Sequence, residues 1–367
     1  MVFYILKRLL LMIPTIFGIL LVSFIIIQFV PGGPVEKMIA QIQGHDSSAT
    51  SRFSGGGPGD VSTSASATAS AGQASQYRGA QGLDPEFIKD LEKMYGFDKP
   101  AHERFILMLG NYLTFNLGES YYRDVDVLSL IFEKMPVSIS LGLWTFILIY
   151  TISIPLGIRK AVHDGSAFDV WTSAVIFVGY SIPSFVMGVL LIVLFAGGYW
   201  DFFPLRGLTS DNWEELSMMG KVLDYLWHLV LPITAMVIGG FASLTMLTKN
   251  SFIDEIGKQY VLTARAKGLE QKQILYGHVF RNAMLIVIAG FPAAFVQIFF
   301  TGNMLIEIIF SLDGLGQLGY KSIVDRDYPV VLGNLYFLSL IGLVVHLMRD
   351  LVYVWVDPRI DFASQGH

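Results

Sequence analysis

The chain has 367 residues, of which 53% are hydrophobic and only 15% charged, with a formal net charge of −5 and no cysteine. That balance is one of a membrane protein, and the missing cysteines exclude disulfides, thiolate nucleophiles and Cys-ligated metals. The basic residues gather in a few loops, and no nucleic-acid footprint is present.

Lys7 and Arg8 open the chain, followed by an apolar run from Leu9 to Val30. The run is long enough to cross the hydrocarbon core, for which about 20 residues suffice. It ends in Pro31-Gly32-Gly33-Pro34 with no small-residue cleavage pattern, so it reads as a retained first span with its N-terminus in the cytoplasm. Residues 1–30 are therefore the cytoplasmic start and first helix. Residues 31–136 read as a long periplasmic insert. Within it His45–Gly82 is dominated by Ser, Ala, Gly and Thr. Such a segment buries too little apolar surface to offset its ordering entropy, and the expectation is a mobile spacer. Asp84 as N-cap and Pro85 at the first helical position then start a helix through Phe87, Ile88, Leu91 and Met94. Gly96 stops it, and a second helix follows at about Ala101–Leu113.

Residues 137–356 read as a five-helix core. The second span is placed at about Val137–Ile158, followed by Arg159 and Lys160 in a short loop. The third, about Val170–Gly197, is interrupted by Pro183, which frees backbone carbonyls and kinks a helix. An outward loop carries Asp201, Asp211, Glu214, Glu215 and Asp224 against only Arg206 and Lys221. The fourth span is about Trp227–Leu247 and the fifth about Ala283–Gly302. Asn303–Pro329 is too polar to span but starts apolar, and reads as partly membrane-dipping. Gly314 and Gly316 there let backbone fold where a Cβ would clash. The sixth span is about Val330–Met348, and 357–367 form a cytoplasmic tail. With six spans, basic residues concentrate in the cytoplasmic pieces and both termini are cytoplasmic, as the positive-inside rule requires.

Between the fourth and fifth spans lies the stretch Ile253–Asn282, which holds Lys258, Arg265, Lys267, Lys272 and Arg281. Ile253, Ile256, Tyr260 and Ala264 recur at helical spacing. Gly268 follows Lys267 as a C′ glycine follows a basic last turn, with Leu269 at the next position. Glu270 opens a second helical pattern. The local prediction is two short helices joined at a glycine elbow just outside the membrane. A plain positive-inside loop is the alternative that charge alone leaves open.

Chemistry is sparse elsewhere. The seven histidines form no i, i+4 pair, and the sequence contains neither a GxSxG elbow nor a phosphate-binding loop. Energy for an ATP-driven pump must then come from another subunit. Charged residues are nearly absent from the spans, whereas ion-coupled carriers use intramembrane carboxylates or histidines. His346 is the one candidate for that role, and it reads better as a satisfied histidine near a helix end. Tyr180, Ser181 and Ser184, beside the proline break, and Gln297 are the best translocation-path candidates, because broken spans line cavities. Each also fits as helix–helix glue.

The sequence resembles a known family at several of these points. ARAKG at Ala264–Gly268 and HVFRNA at His278–Ala283 resemble the EAA loop of ABC importer permeases, specifically their peptide-transport branch and its Yej-type importers. Leu262, Thr263 and Ala264 stand where the general pattern has Glu-Ala-Ala. PGGP after the first span, Glu307, Phe310, Gly314-Leu315-Gly316, Arg326-Asp327-Tyr328-Pro329 and Asp357-Pro358-Arg359-Ile360 are similar to the same branch. The resemblance implies an all-α membrane protein with the ABC type I importer permease fold. It further implies a non-enzymatic permease subunit in the bacterial inner membrane. Ala264, Arg265, Ala266, Lys267, Gly268 and Leu269 would couple it to an ABC ATPase. It needs no cofactor of its own, since ATP and Mg belong to the ATPase. Its implied partners are a second homologous permease, the ATPase subunits, a periplasmic peptide-binding protein and membrane lipid, with no nucleic acid. A stand-alone secondary carrier or channel is the competing class. Uptake that persists without ATPase subunits in an ion gradient would favour it.

Overall fold

The computed structural model describes residues 2–29, 89, 98–123, 125–300 and 304–356. The Ser/Ala/Gly-rich stretch, the helix expected from Asp84 and the C-terminal tail lie outside the described residues. The chain divides into two compact units. One comprises Met1–Phe17, Ser129–Lys321 and Asn334–His367, and the other Gly18–Leu128 and Ser322–Gly333.

Helices are α1 (Val2–Phe29), α2 (Ala101–Leu113), α3 (Val127–Val162), α4 (Ala167–Ser181), α5 (Ser184–Phe195) and α6 (Met218–Ile256). They continue as α7 (Gln259–Ala266), α8 (Gln271–Ile274), a π-helical turn (Leu275–Val279), α9 (Phe280–Phe300), α10 (Met304–Ile309), α11 (Leu315–Asp325) and α12 (Tyr328–Val356). Among the described residues there is no strand, only the isolated bridges Glu119–Asp126 and Ala196–Asp201. Five helices there are long and apolar enough to cross a membrane, and α4 with α5 makes a sixth crossing if the bent pair is one span. α2 occupies the residues expected of it. The second and fourth spans differ from expectation in length. α3 begins ten residues before Val137, and α6 spans 39 residues where about 20 were expected. Hydropathy marks only the lipid-crossing part of a helix. At 1.5 Å per residue α6 is roughly 58 Å long, against a hydrocarbon core of about 30 Å. The excess is shared by both ends, and the part after Leu247 runs on toward the basic elbow.

In the larger unit α6 is the common packing partner of α4, α5 and α9. Two apolar cores line it. The first joins Leu141, Leu229, Ala235, Ile306 and Phe310. The second joins Ile158, Ala161 and Phe252 to Val261, Ala264, Ile274, Val279 and Ala283. Bulk is absent where α3 meets α6, because a Cβ on Gly157 would lie 2.6 Å from Thr248 Cβ and 2.8 Å from the Thr245 carbonyl.

The segment after α9 folds as two short helices around one carboxyl group. Glu307 is fully buried on α10. Its Oε1 accepts from the Ser138 hydroxyl at 2.8 Å, and its Oε2 accepts from the Gln317 N–H at 2.8 Å. Ser138 in turn accepts from the Leu315 N–H at 2.9 Å. The glycines expected to permit tight backbone do so here. A Cβ on Gly314 would lie 2.5 Å from Glu307 Cδ, and one on Gly316 2.9 Å from Met304 Cα.

In the smaller unit, Phe24 and Phe105 pack with ring centroids 5.3 Å apart. Asp327 accepts from the Ser120 hydroxyl and from the Tyr121 N–H at 3.1 Å, which pins the chain after α2.

Candidate functional site: the basic elbow and the broken span

α6 ends at Gly257, and Lys258 leads into α7. The entry is held by side chains. Glu255 accepts from Lys258, and also from the Tyr260 hydroxyl at 2.7 Å. Tyr260 accepts in turn from Asn282 at 3.3 Å, so both ends of the elbow share one network. Burial pushes the Tyr260 hydroxyl pKa above its ordinary value, which keeps it a neutral donor.

α7 is two turns long and faces two ways. Val261 and Ala264 are buried in the second apolar core, while Leu262, Thr263, Arg265 and Ala266 are exposed. The end of α7 is a Schellman motif. Gly268 N–H donates to the Arg265 carbonyl at 2.9 Å and Leu269 N–H to the Ala264 carbonyl at 3.3 Å, and Gly268 has φ +79°. The expected C′ glycine is therefore present with both of its hydrogen bonds. Leu269 packs back only partly and stays 37% exposed. Glu270 then starts α8 with a capping box, in which its side chain and that of Gln273 each accept from the other's backbone N–H.

Of the six residues assigned to coupling, five form an exposed, apolar-and-basic ridge: Arg265, Ala266, Lys267, Gly268 and Leu269. Ala264 points inward and acts as a spacer, bringing the ridge close to the core.

Three of the path candidates, Tyr180, Ser181 and Ser184, gather at a break. α4 stops at Ser181, Ile182 is extended, Pro183 is the N-cap of α5, and the two helices meet at 96°. Tyr180 is 55% exposed at this corner. Ser181 donates back to the Phe177 carbonyl at 2.8 Å, so its hydroxyl is already satisfied within the helix. Ser184 is half-buried across the bend. Gln297 lies on α9, and its side chain is outside the described residues.

A buried charge node has almost no signature in the sequence. Lys160, expected in a short loop, is wholly buried and pairs with Asp169 Oδ1 at 2.9 Å. Lys249 on α6 reaches Asp169 Oδ2 at 2.7 Å and Asp164 Oδ1 at 2.8 Å. The only local signal was the short Gly165-Ser166 turn that separates Lys160 from Asp169.

The comparisons with known proteins agree with this architecture. The profile of the binding-protein-dependent transport system inner membrane component family matches residues 153–362. The peptidoglycan transport system permease protein YejB of Agrobacterium fabrum is 62% identical over 99% of both chains. The inner membrane ABC transporter permease protein YejB of Escherichia coli O157:H7 is 56% identical, again over 99% of both. The oligopeptide transport system permease protein AppB of Bacillus subtilis is 30% identical over 98% of this chain and 99% of its own. A family match over more than half of the sequence, together with full-length relatives at this identity, makes the chain a multi-pass inner-membrane permease subunit of the binding-protein-dependent ABC transport family.

Proposed function

We propose that this permease moves peptides, including those cut from peptidoglycan, into the cell as half of a two-permease channel. The observation that carries the reading is full-length similarity at 56% and 62% to permeases named for inner-membrane and peptidoglycan transport. The 30% identical oligopeptide permease supports the peptide class. A second homologous permease completes the path. ATPase subunits that hold ATP and Mg supply the energy, and a periplasmic binding protein delivers the substrate.

In this reading the ridge Arg265–Leu269 docks on an ATPase. Closure of the ATPase pair pushes the elbow, and the shared core under α7 passes the push to α3 and α6. The spans then rock between outward and inward opening. Substrate crosses beside the broken span at Tyr180–Ser184, and Gln297 belongs to the same path. The membrane subunit makes and breaks no bond. Both termini lie in the cytoplasm, on the same side as the elbow.

Reconstitution tests the reading directly. Vesicles holding both permeases and the ATPase subunits are expected to take up oligopeptides or muropeptides only with ATP and binding protein. Uptake driven by an ion gradient without the ATPase would reject it. Topology is checked on the naturally cysteine-free chain. Gln271→Cys is expected to react with an impermeant thiol reagent only from the cytoplasm, and Asp211→Cys only from the periplasm. Labelling of both from one side would overturn the arrangement.

A further inference from the structure

The buried charges that join α3, α4 and α6 have no part in the steps above. We propose that the Lys160–Asp169–Lys249 node is the positioning element that carries movement of the elbow to the broken span. This inference rests on the coupling reading above.

Lys160 sits in the last turn of α3, and everything its ammonium touches belongs to the start of α4. Beyond its ion pair with Asp169 Oδ1, Nζ uses its three N–H groups on the Asp169 carbonyl at 2.8 Å, Thr172 Oγ1 at 2.7 Å and Ser173 Oγ at 2.8 Å. Asp169 is itself held in place. Its N–H donates to the Ser166 hydroxyl at 3.3 Å, and its Oδ2 accepts from the Gly165 N–H at 3.2 Å as well as from Lys249. One carboxylate thus pairs with two lysines from two other helices.

The same two helices carry the floor of the elbow. Ile158 and Ala161 flank Lys160 on α3, and Phe252 stands one turn beyond Lys249 on α6. All three share a core with Val261 and Ala264 of α7. Ser251 adds a bond to the Ala283 carbonyl at 2.6 Å, which ties α6 to α9 beside the node.

The physical distinction is between contacts that slide and contacts that do not. Apolar side chains can shift past one another with little change in buried area. Separating a buried ion pair leaves charge uncompensated, which is strongly unfavourable, whereas exposed pairs contribute little. The three helix segments therefore move as one piece at the node. α4 is gripped at its first turn, and its far end is the 96° corner beside Tyr180 and Ser184. A displacement at the elbow then arrives at the corner as a tilt of α4.

The test is the triple variant Lys160→Met, Asp169→Asn, Lys249→Met, which removes charge without stranding any. Apolar replacement of buried ion pairs is often neutral for folding, and Asp164 is exposed and stays hydrated. Environment-sensitive fluorophores are attached singly at Gln271→Cys on α8 and Val178→Cys on α4, in the assembled complex, and nucleotide is trapped on the ATPase. In the parent both sites are expected to respond. In the triple variant the Gln271 site still responds and the Val178 response is lost. Uptake falls by about 5- to 150-fold, the range of a site-to-site coupling, while basal hydrolysis persists. Equal responses at Val178 in parent and variant overturn this inference alone. Failure of the triple variant to assemble overturns it too, because the charges then hold the fold rather than transmit. A silent Gln271 site in the parent overturns the coupling reading and this inference with it.

Discussion

Gly268→Val is expected to give a complex that assembles and hydrolyses ATP but transports poorly, or hydrolyses without responding to substrate. Gly268 has φ +79°, and no atom lies within 4 Å of where its Cβ would stand. The cost is therefore backbone conformation and not crowding within the subunit. A side chain in the left-handed region costs about 1–2 kcal/mol, more when β-branched. Such a cost is small beside the stability of a helical membrane subunit. It is comparable to the roughly 1–3 kcal/mol that links two coupled sites. Relaxing φ would break the Gly268 and Leu269 bonds that close α7 and reorient the exposed ridge. Gly268→Asn provides the control, since Asn tolerates the left-handed region, and it is expected to retain coupling. The measurement is substrate-stimulated hydrolysis alongside uptake in vesicles. Parent-like values for Gly268→Val in both would reduce the elbow to a positive-inside connector.

The larger effect on folding is expected at Glu307. Glu307→Leu removes the acceptor for the Ser138 hydroxyl and the Gln317 N–H, both inside a packed site. Each buried donor left without a partner costs about 1–3 kcal/mol. Loss of both is expected to loosen α10 and α11 and to lower assembled yield sharply. Glu307→Gln keeps an acceptor for Gln317 and can donate to Ser138, so it is expected to assemble normally. The pair of variants also has a pH signature. Burial raises the Glu307 carboxyl above its ordinary pKa, outweighing the bonds from Gln317, Ser138 and Gly316 that pull it down. A raised carboxyl pKa means that its contribution to stability is full below the unfolded-state value and is lost as pH rises through the folded-state value. Parent melting temperature should therefore fall relative to Glu307→Gln as pH rises through that window. A thermal melt of the purified complex across a pH series reads this. A parent melting temperature that holds or rises relative to Glu307→Gln as pH rises would contradict the assignment.

What the sequence disclosed and what it hid follow from the range of the interactions. The Gly268 elbow was readable because a Schellman motif is made within a few residues by glycine, a basic turn and an apolar follower. The bend at Pro183 was readable for the same reason. The tight backbone at Gly314 and Gly316 was also expected, although its target, the Glu307 carboxyl, was not. Long-range pairing was invisible. Lys249 and Asp169 are 80 positions apart, and neither looks unusual among its neighbours. Helix ends that run past the lipid also escaped, because periodicity weakens where a helix leaves one apolar environment for another. The burial of Ala264 agrees with its place in the helical spacing of Ile253, Ile256 and Tyr260, whereas the coupling motif alone records spacing and not which face is buried.

The π-helical turn at Leu275–Val279 separates the phase of the elbow from that of the span it enters. Ile274 and Val279 bracket it, and both are buried in the same core. In an uninterrupted α-helix five positions leave two side chains about 140° apart around the axis. The wider turn absorbs that mismatch, so each side of it keeps its own face inward. Its residues include Gly277, which has open space around its Cβ position. The exposed ridge and the membrane helix are therefore indexed independently. Residues on α9 can be exchanged without rotating the exposed ridge, and the ridge can be adjusted without rotating α9.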